Sequence, residues 1–186
     1  CALHDLQARR LGVPLCQLFG GKVRDRVPIL RILAIKTPAE MAVQAQKLVD
    51  KGYNYLKIKV HGEVAEDVAR VDAIRKQVGA DVHLTIDANQ SYTPKDAITA
   101  LNRMADYNID LAEQPVSADD FEGLKLVTQT VPITVEADEA AGSLQEVYQL
   151  VTQRACDAGS LKIPKLGRSE EHTSELQSLA YLVCRL

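Results

Sequence analysis

The stretch YLKIKV, Tyr55–Val60, puts two lysines on one side of what otherwise reads as a buried strand. Alternate side chains of an extended chain share a face, so Leu56, Ile58 and Val60 point one way while Tyr55, Lys57 and Lys59 point the other. From Val27 onward the same unit recurs: a short apolar strand, a turn, an amphipathic helix, then another strand. VPILRILAI (27–35) precedes a helix over 38–50, with Pro38 near its start and Gly52 just past its end. YLKIKV precedes a helix over 63–78, VHLTIDA (82–88) one over 94–107, IDLAEQP (109–115) one over 119–130, and PITVEAD (132–138) one over 143–152. GSLKIPK (159–165) closes a series of six strands and five helices.

Strands separated by single helices run parallel, because a right-handed crossover returns each to the same end of the sheet. An open doubly wound sheet and an eight-stranded barrel both fit the alternation. A nucleotide-binding open sheet wants a glycine-rich turn after its first strand, and AIKTPAEM has none. Instead, charged residues sit at the carboxyl ends of five successive strands: Lys57 and Lys59, Asp87, Glu113, Glu136 and Asp138, and Lys162. In a barrel those ends converge on one mouth. The expected fold is therefore α/β, a partial (β/α) TIM-type barrel of about six strands, too few to close.

Composition narrows the function. The 186 residues are 46% hydrophobic with net charge −3, an ordinary globular profile. With 22 basic against 25 acidic residues and no Trp, nothing favours nucleic acid. No apolar run approaches the ~20 residues of a membrane helix and no signal peptide opens the chain, so the cytoplasm is the expected location. Cys1, Cys16, Cys156 and Cys184 lack C-x-x-C spacing and read as reduced thiols. His4, His61, His83 and His172 lie away from the acidic strand ends and receive no chemical role. Asp119 reads as a helix cap and Lys165 as a loop charge.

Asp87, Glu113 and Asp138 end three different strands. Three carboxylates at one mouth repel unless something cationic lies between them, and oxygen-only ligands favour magnesium or manganese over zinc. Lys57 and Lys59 face inward on the second strand and, by parity, Lys162 does so on the sixth. In an eight-membered ring these strands stand opposite, which suits proton transfer on two faces of one carbon. A lysine acts as a base only when neutral, and a neighbouring ammonium disfavours protonation, which gives Lys57 a reason to adjoin Lys59.

KIKV, IDAN, EQP, EADE and LKIPKLG, in this order and spacing, resemble the barrel domain of the mandelate racemase and muconate lactonizing enzyme group of the enolase superfamily, in its lysine-lysine subgroup. The similarity covers roughly residues 1–167. It implies a metal site, Mg2+ or else Mn2+, at Asp87, Glu113 and Asp138. It also implies Lys59 and Lys162 as the acid/base pair with Lys57 in support; Asn89, on the same face beyond Asp87, is expected to meet the metal's water shell or the substrate, and Glu136 to lie as an acid behind the metal ligands. Glu136 also faces inward, so preferring Asp138 as the ligand rests on the family pattern. The implied activity is a racemase or epimerase that abstracts the proton alpha to a carboxylate through a Mg-stabilised enediolate. Its substrate would be an amino-acid derivative or dipeptide, and its parent a homo-oligomer. Muconate-type cycloisomerisation and acid dehydration are the close rivals.

HDLQARRLGVPLCQLFGG resembles the family's helix leading into the barrel, and the chain opens in mid-helix at Cys1, so its true start is expected upstream. RSEEHTSELQS, Arg168–Ser178, matches the translation of a common sequencing adapter, so 168–186 is expected to be a non-native tail. An incomplete barrel leaves strand edges unpaired and apolar helix faces uncovered, so the 186-residue chain by itself is expected to be inactive.

Overall fold

The computed structural model describes residues 2–160 and Lys162. Cys1, Leu161, most of the expected strand over 159–165 with Lys165, and the expected tail over 168–186 with His172 and Cys184, lie outside the described residues. Two helices, α1 (Ala2–Leu11) and α2 (Leu15–Leu18), precede the repeating units. These comprise β1 (Leu30–Leu33), α3 (Pro38–Val49), β2 (Tyr55–Lys59), α4 (Val64–Val78), β3 (His83–Asp87) and α5 (Pro94–Met104). A 3-10 turn (Ala105–Tyr107) follows, then β4 (Ile109–Glu113), α6 (Phe121–Thr130), β5 (Val135–Ala137), α7 (Leu144–Gln153) and β6 (Ala158–Gly159).

All six strands pair in parallel in the order β1-β2-β3-β4-β5-β6. A doubly wound sheet reverses its strand order at a switch point; an unbroken sequential order is the sector of a barrel. The expected parity holds: Leu56 and Ile58 are fully buried and Val60 nearly so. They join Leu84, Ile86, Ala112 and Val135 of the sheet in one core with Val71, Ile74, Leu101, Leu124, Val127 and Leu150 of the helices. That apolar layer holds the helices against one face and leaves the other face to the polar residues. Leu30 and Ile32 of β1 pair with Tyr55 and Lys57 and are 40% and 57% exposed.

Helix starts follow local capping chemistry. Thr37 and Glu40 exchange side-chain and backbone bonds ahead of α3, and the Thr93 and Ser143 hydroxyls accept from the Asp96 and Glu146 amides ahead of α5 and α7. The cap of α6 corrects the sequence expectation. Asp120, not Asp119, accepts from the Gly123 amide at 2.8 Å, because α6 begins two residues later than the pattern suggested. Asp120→Ala should cost about 1 kcal/mol in urea unfolding, while Asp119→Ala should stay within about 0.5 kcal/mol of wild type. Equal losses would contradict this assignment. Strand bounds are also shorter than the apolar runs: β1 covers only Leu30–Leu33 and β5 only Val135–Ala137.

A buried polar knot ties three loops at the carboxyl end of the sheet. The Asp67 carboxylate, fully buried in the first turn of α4, accepts from the Gly62 amide (3.0 Å), the Tyr92 hydroxyl (2.7 Å) and Arg70 Nη1 (2.7 Å). Arg70 Nε also donates to the Lys36 carbonyl at 2.9 Å. The loops after β1, β2 and β3 are thereby joined through one charge pair whose hydrogen bonds are satisfied, the condition under which such a pair is tolerated in a core. Gly62 has φ +96°, and a Cβ there would lie 2.5 Å from the Ser91 carbonyl oxygen, so the loops after β2 and β3 approach as closely as glycine permits. Cys16 is exposed and Cys156 buried, both as free thiols; burial pushes the Cys156 thiol up to about 11.

Candidate active site

Strand register assembles the polar face. Lys59 pairs with Asp87, Asp87 with Glu113, Glu113 with Glu136 and Glu136 with Ala158, so one row of the ladder crosses from β2 to β6. Lys57 lies two residues below Lys59 on the same face, and Asp138 two residues beyond Glu136. Asp87, Glu113 and Asp138 are each 3–4% exposed. Carboxylates this buried are costly without compensation.

Each acid has an ammonium partner. Lys57 Nζ donates to Glu113 Oε2 and lies 3.7 Å from Asp87 Oδ2. Lys59 Nζ donates to Asp87 Oδ2 at 2.5 Å and to Asn89 Oδ1. Lys162 Nζ donates to Asp138 Oδ2 at 2.5 Å, and this contact lifts its ammonium above the ordinary lysine value. Lys59 and Lys162 thus stand on opposite sides of the carboxylates, with Lys57 on the Lys59 side and bonded to Glu113. Among the described residues, no three acidic, histidine or cysteine side chains form a ready-made metal cage.

The electrostatics nevertheless fit a cation. Burial, reinforced by the charges of Asp87 and Asp138, raises the Glu113 carboxyl despite the hydrogen bond from Lys57. Burial also pushes Glu136 up to about 7, helped by the negative charges of Glu113 and Asp138. Four acids against three lysines leave an excess of carboxylate oxygen, and oxygen donors without sulfur or imidazole suit a hard divalent ion.

The structure brings together all eight residues expected from sequence: Lys57, Lys59, Asp87, Asn89, Glu113, Glu136, Asp138 and Lys162. It adds two that sequence reasoning passed over. Glu139 Oε1 accepts from Asn89 Nδ2 at 3.0 Å, and its other oxygen is buried with no hydrogen-bond partner among the described residues. Gln114, fully buried, bonds to the main chain beyond β5. Glu139 had a legible signal as the last residue of EADE. Gln114 had only its place after Glu113.

Residues 40–171 match the family described as enolase C-terminal domain-like. The chain belongs to that family. Among relatives of this enolase-like domain, a hydrophobic dipeptide epimerase of Enterococcus faecalis is 42% identical over 170 residues, 91% of this chain and 48% of the relative. An L-Ala-D/L-Glu epimerase of Bacillus subtilis is 39% identical over 169 residues, 89% of this chain and 46% of the relative. The crystal structure of an E. faecalis dipeptide epimerase complexed with Mg and the dipeptide L-Leu-L-Tyr superposes with a TM-score of 0.86 at 40% identity, covering 97% of this chain and 49% of that one. The enolase-like chain thus spans about half the length of these relatives. No described helix is long and apolar enough to cross a membrane.

Proposed function

We propose that the whole protein is a Mg2+-dependent racemase or epimerase that removes and returns the proton alpha to the carboxylate of a dipeptide or amino-acid derivative. The observation that carries this reading is the group of buried carboxylates with Lys59 and Lys162 on opposite sides. Asp87, Glu113 and Asp138 would hold Mg2+, with Mn2+ as the alternative ion. When bound, the ion supplies positive charge against which a substrate carboxylate can gain electron density.

Lys59 and Lys162 are the two proton carriers. One Nζ takes the alpha proton from one face of the carbon and the other returns a proton to the opposite face, inverting the centre. Lys57, anchored on Glu113, keeps a second positive group beside Lys59. Asn89 orients Lys59 through the bond from its Nζ, and Glu136 adds negative charge behind Glu113. The resemblance further supports a homo-oligomer acting on small carboxylates, with a part of its barrel in residues 1–167; the charge balance and the lack of a long apolar run support a cytoplasmic protein that engages neither nucleic acid nor membrane, and the match of 168–178 to a translated adapter supports a non-native tail over 168–186.

The test is deuterium incorporation in D2O with Mg2+, followed by NMR, for L-Ala-L-Glu, apolar dipeptides and N-acyl amino acids. It should be run on the 186-residue chain and on the longest form in which the chain is expressed. Incorporation at one alpha carbon, accompanied by interconversion of epimers, is expected in the longest form. No exchange with any of these acids would sink the assignment; exchange in the longest form alone would mean that the 186 residues are not a sufficient catalytic unit.

A further inference from the structure

We propose that Gln114 is a positioning residue that sets the main chain around Asp138 for metal binding, an inference that rests on the metal site proposed above. Gln114 directly follows Glu113 and is fully buried. Its Oε1 accepts from the amides of Asp138 (2.9 Å) and Ala140 (3.0 Å), and its Nε2 donates to the Val116 carbonyl (2.9 Å). Two donors facing one end of the amide and an acceptor facing the other fix which end is oxygen. The Gln114 backbone is engaged as well, its amide donating to the Glu136 carbonyl at 2.8 Å and its carbonyl accepting from the Gln90 amide at 2.9 Å.

The backbone departs from ordinary geometry to make this reach. Gln114 has φ +38°, a left-handed conformation that a side-chain-bearing residue adopts only at a cost. Asn89 and Gln90, which follow Asp87 closely on the neighbouring strand, share it with φ +42° and +69°. The Gln90–Gln114 bond joins the turns that follow Asp87 and Glu113. A glutamine that only filled the core would need its polar atoms satisfied, and any partner would serve. Here both hydrogen bonds to the side-chain oxygen come from the amides of Asp138 and of Ala140 just after it, so the residue beside one proposed ligand grips the backbone of the next. Outer partners of this kind commonly govern metal affinity.

The test is Mg2+ titration by calorimetry on the longest form in which the chain is expressed, for wild type, Gln114→Met and Gln114→Glu, with amide hydrogen exchange read at Asp138 and Ala140. Gln114→Met keeps the volume and removes the bonds; it should weaken Mg2+ binding by about 10- to 100-fold and speed exchange at both amides. Gln114→Glu keeps an oxygen toward the two amides and should recover at least about tenfold of that loss. If Gln114→Met does not fold, Gln114→Asn, which draws the amide back by one methylene, is read in its place. Folded variants that melt earlier yet bind Mg2+ as wild type does would overturn the positioning role alone. A wild type that binds no Mg2+ would overturn the metal site on which it rests.

Discussion

Lys59→Ala and Lys162→Ala should each slow interconversion of the two epimers by about 10²- to 10⁴-fold relative to wild type, the range a positioned proton carrier supplies. The loss is equal in kind but opposite in hand. Lys59 starts from β2 and Lys162 from beyond β6, and Asp87, Glu113 and Asp138 lie between them, so in the proposed mechanism each lysine serves one face of the reacting carbon. Each single variant should then still exchange the alpha proton of one stereoisomer with D2O, through the remaining lysine, and lose it for the other. Proton exchange measured separately for the two epimers checks this. A single variant that still interconverts them within tenfold of wild type, with the other variant dead, would show that one lysine does both transfers.

Asp87→Asn, Glu113→Gln and Asp138→Asn should each weaken the proposed Mg2+ binding by more than about 100-fold, beyond the loss expected from disturbing an outer partner alone. Each change removes a formal charge from a site whose affinity depends on the number of charged oxygens it offers. The three variants differ in what they do to the metal-free protein. Glu113→Gln takes the hydrogen-bonded carboxylate from Lys57, whose side chain is 15% exposed, and leaves it Asp87 at 3.7 Å. Asp138→Asn affects Lys162, whose side chain is 47% exposed and partly solvated. Glu113→Gln should therefore lower urea stability more than Asp138→Asn, since an ammonium left in a poorly solvated place costs more. Calorimetry gives the first quantity and unfolding the second. Wild-type affinity in any of the three would remove that residue from the metal site.

The parity of YLKIKV shows why most of the site was legible. Leu56, Ile58 and Val60 had to face the helices, so Lys57 and Lys59 had to face away from them, and the acids at the ends of later strands fell on the same face by alternation alone. Strand lengths were less legible, because apolar runs such as 27–35 continue past the residues that pair. The cap of α6 was misplaced by one residue because Asp119 and Asp120 are chemically identical, and only the first helical residue, Phe121, decides between them. The Asp67, Arg70 and Tyr92 knot was invisible for a different reason. Asp and Arg three residues apart on a helix read as a solvated face, and only the close approach of loops around Gly62 and Ser91 buries them. Gln114 escaped because its role depends on a left-handed turn and on partners at 138 and 140, which no local pattern reveals.

The central claim is that Asp87, Glu113 and Asp138 share one divalent ion between Lys59 and Lys162. Crystals of the longest expressed form grown with Mn2+ as the probe, measured by anomalous scattering, address it most directly. One peak bonded to oxygens of all three residues, with the lysine Nζ atoms drawn off those oxygens, is the predicted result. No peak there, with Lys57, Lys59 and Lys162 still paired to their carboxylates, would contradict it.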